Sequence, residues 1–217
     1  MGKSEKQMEK ERERNQRIID TAFRLFVERK IEAVSMDEVA KAAGVGRATL
    51  FRCYSNKTEL TIAVCASKWK AYLDRLDETR PITSIHDIPA IERFIFTLDS
   101  YIGMYRNHKD LLQYNDNFNN YITHQTVQEK ELENFHASLS SVNTRLHMMY
   151  AKAREDKTFR TDIPEEQFLR VTVHTMMAAC THYAGGFIWG ATDNKDYTGD
   201  LLLLKEMILN YVKNDKS

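Results

Sequence analysis

Residues 35–60 read SMDEVAKAAGVGRATLFRCYSNKTEL, and this stretch decides the fold. It opens on Ser35-Met36-Asp37-Glu38, a Ser-x-x-Glu capping box in which the Ser35 side chain meets the Glu38 amide and Glu38 reaches back to that of Ser35. Asp37 and Glu38 also suit the positive end of a helix dipole. Val39, Ala40 and Ala43 mark an inner face, and Gly44 supplies a left-handed stop. Only Val45 and Gly46 intervene before a second short helix, Arg47 to Tyr54, with Gly46 as its N-cap. Ala40, Ala43 and Val45 are small enough for the two helices to cross closely, with Leu50 packing beneath. Two short helices joined by a glycine-containing turn make a helix-turn-helix. Asn56 then caps a further helix, with Glu59 three residues on.

The helical pattern extends in both directions. Upstream, Ile18, Ile19, Ala22, Phe23, Phe26 and Val27 recur at spacings of three and four, which predicts a helix from near Met8 to Arg29 or Lys30. Downstream, helices are expected over Lys57–Glu78, Ile88–Arg106, Lys109–Ile122, Val127–Asp156, Glu165–Trp189 and Thr198–Asn214, with loops at Thr83–Pro89, Lys157–Pro164 and Ala184–Tyr197. Helix breakers are scarce among the 217 residues: 8 Gly and 3 Pro, and Gly103 is the only glycine between Arg47 and Ala184. A sandwich or barrel needs Gly/Pro-rich turns at short intervals, so the chain reads as all-α. The expected organisation is a helix-turn-helix domain over residues 1–60, including a charged N-terminal extension over 1–15, and a larger helical domain over 61–217.

Composition excludes several classes. The longest apolar run, Leu201 to Leu204, is far short of the ~18 residues of a membrane span. The start is charged rather than apolar, so no secretory signal is expected, and Cys53, Cys65 and Cys180 show no CxxC spacing. Scattered thiols fit a reducing cytoplasm. No phosphate-binding glycine loop, zinc-protease or nucleophile-elbow motif is present, so no catalytic activity is expected. The spacings of His174, Cys180 and His182 do not place two ligands on one helical face, so no metal and no cofactor is expected.

The 31 Lys+Arg and 31 Asp+Glu cancel, but unevenly. Residues 1–60 carry 13 basic and 10 acidic side chains, and Val39 to Thr58 contains Lys41, Arg47, Arg52 and Lys57 with no acid. A surface that approaches phosphate gains from such a window. On the second helix, Arg47, Ala48, Thr49 and Arg52 face outward, residue types that meet base edges and phosphates in a major groove. The extension, EKQMEKERERNQR over residues 5–17, alternates sign, which favours a solvated continuation of the first helix over the alternative, a basic arm that touches DNA.

Residues 17–64, RIIDTAFRLFVERKIEAVSMDEVAKAAGVGRATLFRCYSNKTELTIAV, resemble the DNA-binding domain of TetR-type transcriptional regulators. The resemblance rests on the Ile-x-x-x-Ala-x-x-x-Phe first helix, Ser-Met-Asp-Glu-Val-Ala-x-x-Ala-Gly-Val, and Thr-Leu-Phe-x-x-Tyr before Asn-Lys-x-Glu-Leu, about a fifth of the chain. It implies that Gly46, Arg47, Ala48, Thr49, Phe51, Arg52, Tyr54 and Lys57 face bases and phosphates. Cys53 stands where the family often has Tyr, and Gly46 where Ser or Thr is usual; both remove potential phosphate hydrogen bonds and shift the load onto Arg47, Arg52 and Lys57.

The resemblance further implies that the larger domain dimerises and binds a small effector, releasing a repressor from an inverted-repeat operator. In the family the last two long helices form a four-helix bundle across the dimer axis. Here Leu201, Leu204, Ile208, Tyr211 and Val212 form the stripe expected at that interface, with Ala178, Ala179, Gly185 and Gly186 allowing close approach. The central helices are crowded with aromatic, Met and His side chains, whose polar handles suit a largely apolar or aromatic ligand. The expected lining is Tyr101, Tyr105, Tyr114, Phe118, Tyr121, His147, Met148, His174 and Met177. The rival reading is a helical protein–protein adaptor that carries a helix-turn-helix without an effector.

Overall fold

The computed structural model describes residues 4–81, 87–186 and 195–213. Parts of the expected loops Thr83–Pro89 and Ala184–Tyr197, and the end of the expected helix Glu165–Trp189, lie outside them. The described residues form helices without strands: α1 Glu5–Arg29, α2 Met36–Ala42, α3 Arg47–Cys53, α4 Lys57–Thr79, α5 Ala90–Asn107, α6 Lys109–Thr123, α7 Glu129–Asp156, α8 Glu165–Leu169, α9 Thr175–Ala184 and α10 Thr198–Val212. The chain packs as two compact units. The first comprises residues 1–70 and 114–138, the second 71–113 and 139–217. The first unit thus gathers a segment from the middle of the chain as well as the N-terminal stretch.

In the first unit, Ile18, Ala22 and Phe26 of α1 are fully buried together with Leu50, Leu60 and Val64. Tyr114 joins them from α6, its ring 5.2 Å from Phe23 and 6.4 Å from Phe26. Its hydroxyl donates to the Thr61 carbonyl at 2.8 Å, so the polar tip of a buried ring is satisfied. Lys68 reaches back from α4 to Asp20 at 2.6 Å and lies over the Phe23 ring.

The second unit is built around a ring cluster. Phe159 and Phe168 stack at 5.0 Å, with Phe94 and Tyr150 tilted against both. Pro89 occupies the N-cap of α5 and offers no side-chain acceptor. The vacant α5 amides are taken up by residues at and after the end of α7: Asp156 accepts from Ala90 at 2.8 Å and Thr158 from Ile91 at 3.1 Å. Arg93 is buried in the same corner, donating to the Ile88 carbonyl at 2.9 Å.

The expected uninterrupted helix from Glu165 is broken. Arg170–His174 forms a π-helical turn between α8 and α9. Val171, Thr172, Val173 and Thr175 put four β-branched residues on this turn and its border, where their stiff side chains crowd an α-helical backbone. The threonine hydroxyls bond back to carbonyls, Thr172 to Phe168 at 2.7 Å and Thr175 to Arg170 at 3.2 Å.

Candidate nucleic-acid interface

The helix-turn-helix is fixed by its caps. Ser35 Oγ accepts from the Glu38 amide at 3.2 Å, and Glu38 Oε2 accepts from the Ser35 amide at 2.8 Å. Arg29 adds a 2.7 Å bond to the other carboxylate oxygen. The Ser35 amide, then Arg29 and the Ser35 hydroxyl, hold the Glu38 carboxyl down at about 2. Gly44 sits at φ +64°, the left-handed conformation that ends α2 without the strain a side chain would bring. The turn closes when Val45 N–H donates to the Ala40 carbonyl at 3.0 Å. Val39, Ala40, Ala43 and Leu50 fill the joint between α2 and α3 and are all buried.

This joint leaves one side of α3 in solvent. Arg47, Ala48, Phe51 and Arg52 are exposed at positions i, i+1, i+4 and i+5, Gly46 is exposed ahead of them, and Thr49 is half-buried at the edge. The Arg47 guanidinium donates to Asp37 Oδ2 at 2.9 Å and lies 5.4 Å from the centre of the Phe51 ring. An exposed aromatic beside a guanidinium presents a flat apolar contact and a fork of donors, the pair suited to thymine methyls and guanine edges.

Tyr54 and Lys57, the other two expected contact residues, have surroundings within the protein itself. Tyr54 is buried, and that burial pushes its phenol up to about 12. Lys57 Nζ donates to the carbonyls of Ile31, Glu32 and Val34 at 3.0, 3.2 and 3.2 Å and lies 5.6 Å from the Tyr121 ring centre. These carbonyls lie in the connection that follows α1, where the backbone has no helical partners, and the ammonium supplies three donors at one point. Its side chain therefore ties the link between α1 and α2 to the start of α4. Asp37, by contrast, carries more than sequence assigns it. In sequence it is a helix-start acid only, whereas the structure puts its carboxylate on the α3 surface through Arg47, ten residues away.

The nine residues expected to line an effector site divide between the units. Tyr114, Phe118 and Tyr121 are buried in the first, where the Tyr121 hydroxyl meets Thr58 Oγ1 at 3.1 Å. Tyr105 is buried in the second, accepting from the Tyr197 amide at 3.0 Å, with Lys109 4.5 Å over its ring. Tyr101, Met148 and Met177 are half-buried there, and burial raises the Tyr101 phenol. His147 and His174 are instead on the surface: the His147 side chain is 72% exposed and pairs with Glu165 at 3.1 Å. No group of three His, Cys, Asp or Glu side chains suited to a metal occurs among the described residues, and no described helix is long and apolar enough to cross a membrane.

The α10 stripe is also redistributed. Leu201, Ile208 and Val212 are buried inside the second unit and Leu204 is half-buried. The adjacent stripe carries the exposed apolar surface: Leu203 at 58%, Met207 at 61% and Tyr211, four residues apart, with Leu202 beside them. Val171 is an exposed apolar residue on the π turn before α9.

Residues 18–64 match the sequence profile of the bacterial regulatory proteins of the tetR family. A helix-turn-helix transcriptional regulator of Mycobacterium tuberculosis is 47% identical over 47 residues, 22% of this chain and 23% of that one. The matched stretch thus spans under a quarter of that relative. Over nearly the full length the likeness is one of fold. A transcriptional regulator of Saccharomonospora viridis in complex with choline superimposes with a TM-score of 0.70 at 16% identity, covering 93% of this chain and 98% of that one. The regulator FadR of Bacillus subtilis in complex with stearoyl-CoA gives 0.68 at 14% identity, covering 89% and 97%.

Proposed function

We propose that this chain, which carries the TetR-type DNA-binding module in residues 18–64, is a homodimeric transcriptional regulator that binds an inverted-repeat operator and is released as a repressor by a small, largely apolar effector. The observation that carries this reading is the exposed face of α3, with Arg47, Ala48, Phe51 and Arg52 held outward by a capped helix-turn-helix. One such helix reads few base pairs, so two copies on paired half-sites are needed for useful specificity. The exposed Leu203, Met207 and Tyr211 of α10 supply an apolar surface of the kind a second copy covers.

The effector part of the proposal draws on the fold relatives, of which one holds choline and another stearoyl-CoA. In this chain Tyr101, Met148 and Met177, each half-buried in the second unit, are the phenol and the apolar side chains proposed to meet such an effector. A route from there to the DNA-binding module follows chain continuity. Helices α4 and α6 each begin in one unit and end in the other, and in the first unit Tyr114 and Tyr121 bond to Thr61 and Thr58 of α4. An effector that favours one arrangement of these helices would shift the recognition helices off register.

Selection of duplexes from a randomised library by the full-length protein tests the reading. An inverted repeat with half-site centres about 10 base pairs or a multiple apart is expected. Arg47→Ala is expected to weaken binding to it by about 1–3 kcal/mol and relax preference at one position of each half-site. Absence of any enriched sequence would overturn the proposal.

A further inference from the structure

The alternating charges that precede the helix-turn-helix resolve into an ordered pattern once they are wound into α1. Ser4 caps that helix with a reciprocal Ser4–Gln7 box, and the helix runs unbroken from Glu5. Lys6, Lys10, Arg14 and Arg17 are spaced by four, four and three residues, which places them along one side of an α-helix. Glu9 and Glu13 run along one border of this row, and Arg12 lies on a different side. The phase of the row is set by its last two members. Arg17 Nε donates to the Ala43 carbonyl at the end of α2 at 3.0 Å. Arg14 Nη2 meets Cys53 Sγ, on the last residue of the recognition helix, at 3.9 Å, and the Cys53 thiol in turn meets Asn15 Oδ1 at 3.5 Å.

The row that docks the helix-turn-helix therefore continues past it. With a rise of 1.5 Å per residue, Lys10 and Lys6 lie about 6 and 12 Å along the axis beyond Arg14. Both are exposed. We propose that Lys6 and Lys10 form a second cationic contact, for the phosphate backbone flanking the base pairs that α3 reads. A row of ammonium groups on a capped helix meets successive phosphates without folding on contact, and each phosphate neutralised releases condensed counterion. The partner is duplex backbone rather than a base sequence, because lysine presents a point charge with no fork to read an edge.

This inference rests on the proposed DNA-binding function, and its test separates the two. The full-length protein is titrated with KCl on its own selected duplex, extended by ten base pairs on each side, and the slope of log Kobs against log [KCl] is read. Lys6→Gln/Lys10→Gln is expected to flatten the slope by about 0.9 for each phosphate that a lysine no longer neutralises. Arg12→Gln, which removes one charge from another side of the same helix, is expected to leave the slope unchanged. If the parent protein selects no duplex, the function falls and this contact with it. If it selects one but the double variant keeps the parent slope, or Arg12→Gln flattens it as much as Lys10→Gln alone, the contact is overturned and the function stands.

Discussion

Glu38 shows how much one side chain can do at the start of a short helix. Its carboxylate closes the Ser35 box and receives Arg29, and these bonds hold it at about 2 against an ordinary 4.5. A carboxyl whose folded value is depressed stabilises the fold fully above its unfolded value and loses that contribution as pH falls toward the folded one. Stability should therefore drop between about pH 4.5 and 2 in the parent protein, and Glu38→Gln should weaken that part of the acid transition, as followed by circular dichroism. This arrangement is legible in sequence, because a capping box needs only residues three apart. The placement of Lys57 is not. Its acceptors are main-chain carbonyls 23 to 26 residues upstream, which no side-chain pattern marks. Asp37 is visible as an acid, but its partnership with Arg47 depends on the crossing of α2 and α3.

At the scale of elements, the helices and their order are readable from periodicity, and most observed ends differ from the expected ones by a residue or two. The orientation of α10 is not readable, because Leu201 to Leu204 place apolar residues nearly all round one of its turns. Packing against the rest of the second unit selects Leu201, Ile208 and Val212 for burial and leaves Leu203, Met207 and Tyr211 outside. The two stripes should respond differently. Leu201→Ala is expected to cost about 2–5 kcal/mol of stability as a buried truncation, measured by denaturant unfolding. Leu203→Glu/Met207→Glu should leave each chain folded and convert the proposed dimer to monomer in sedimentation equilibrium; an unchanged mass would remove this face from the interface. The π turn after α8 likewise escapes a periodic reading, since a helix of either kind satisfies the same apolar spacing over five residues.

For the whole molecule, the zero net charge proves to be a sum of unlike parts, with the basic excess in the region that carries α2 and α3. Regulation at this scale is a statement about linkage. If an effector weakens operator binding by some factor, operator must weaken effector binding by the same factor. Calorimetric titration of an effector found by thermal-shift screening, with and without the selected duplex, should return that ratio; equal affinities would exclude release by that compound. The candidate pocket is least legible, because aromatic, Met and His side chains at helical spacing serve a core and a cavity equally well. Tyr114, with its hydroxyl already bonded to the Thr61 carbonyl, shows how such a residue can be wholly occupied by holding the fold together.

The three carbonyls gathered by Lys57 carry a thermodynamic consequence. One ammonium ties the link between α1 and α2 to the start of α4 and so restrains how α2 and α3 follow α1. The conformational entropy of that link is surrendered during folding, so if the proposed operator binding holds, this joint arrives preorganised and adds little ordering cost to it.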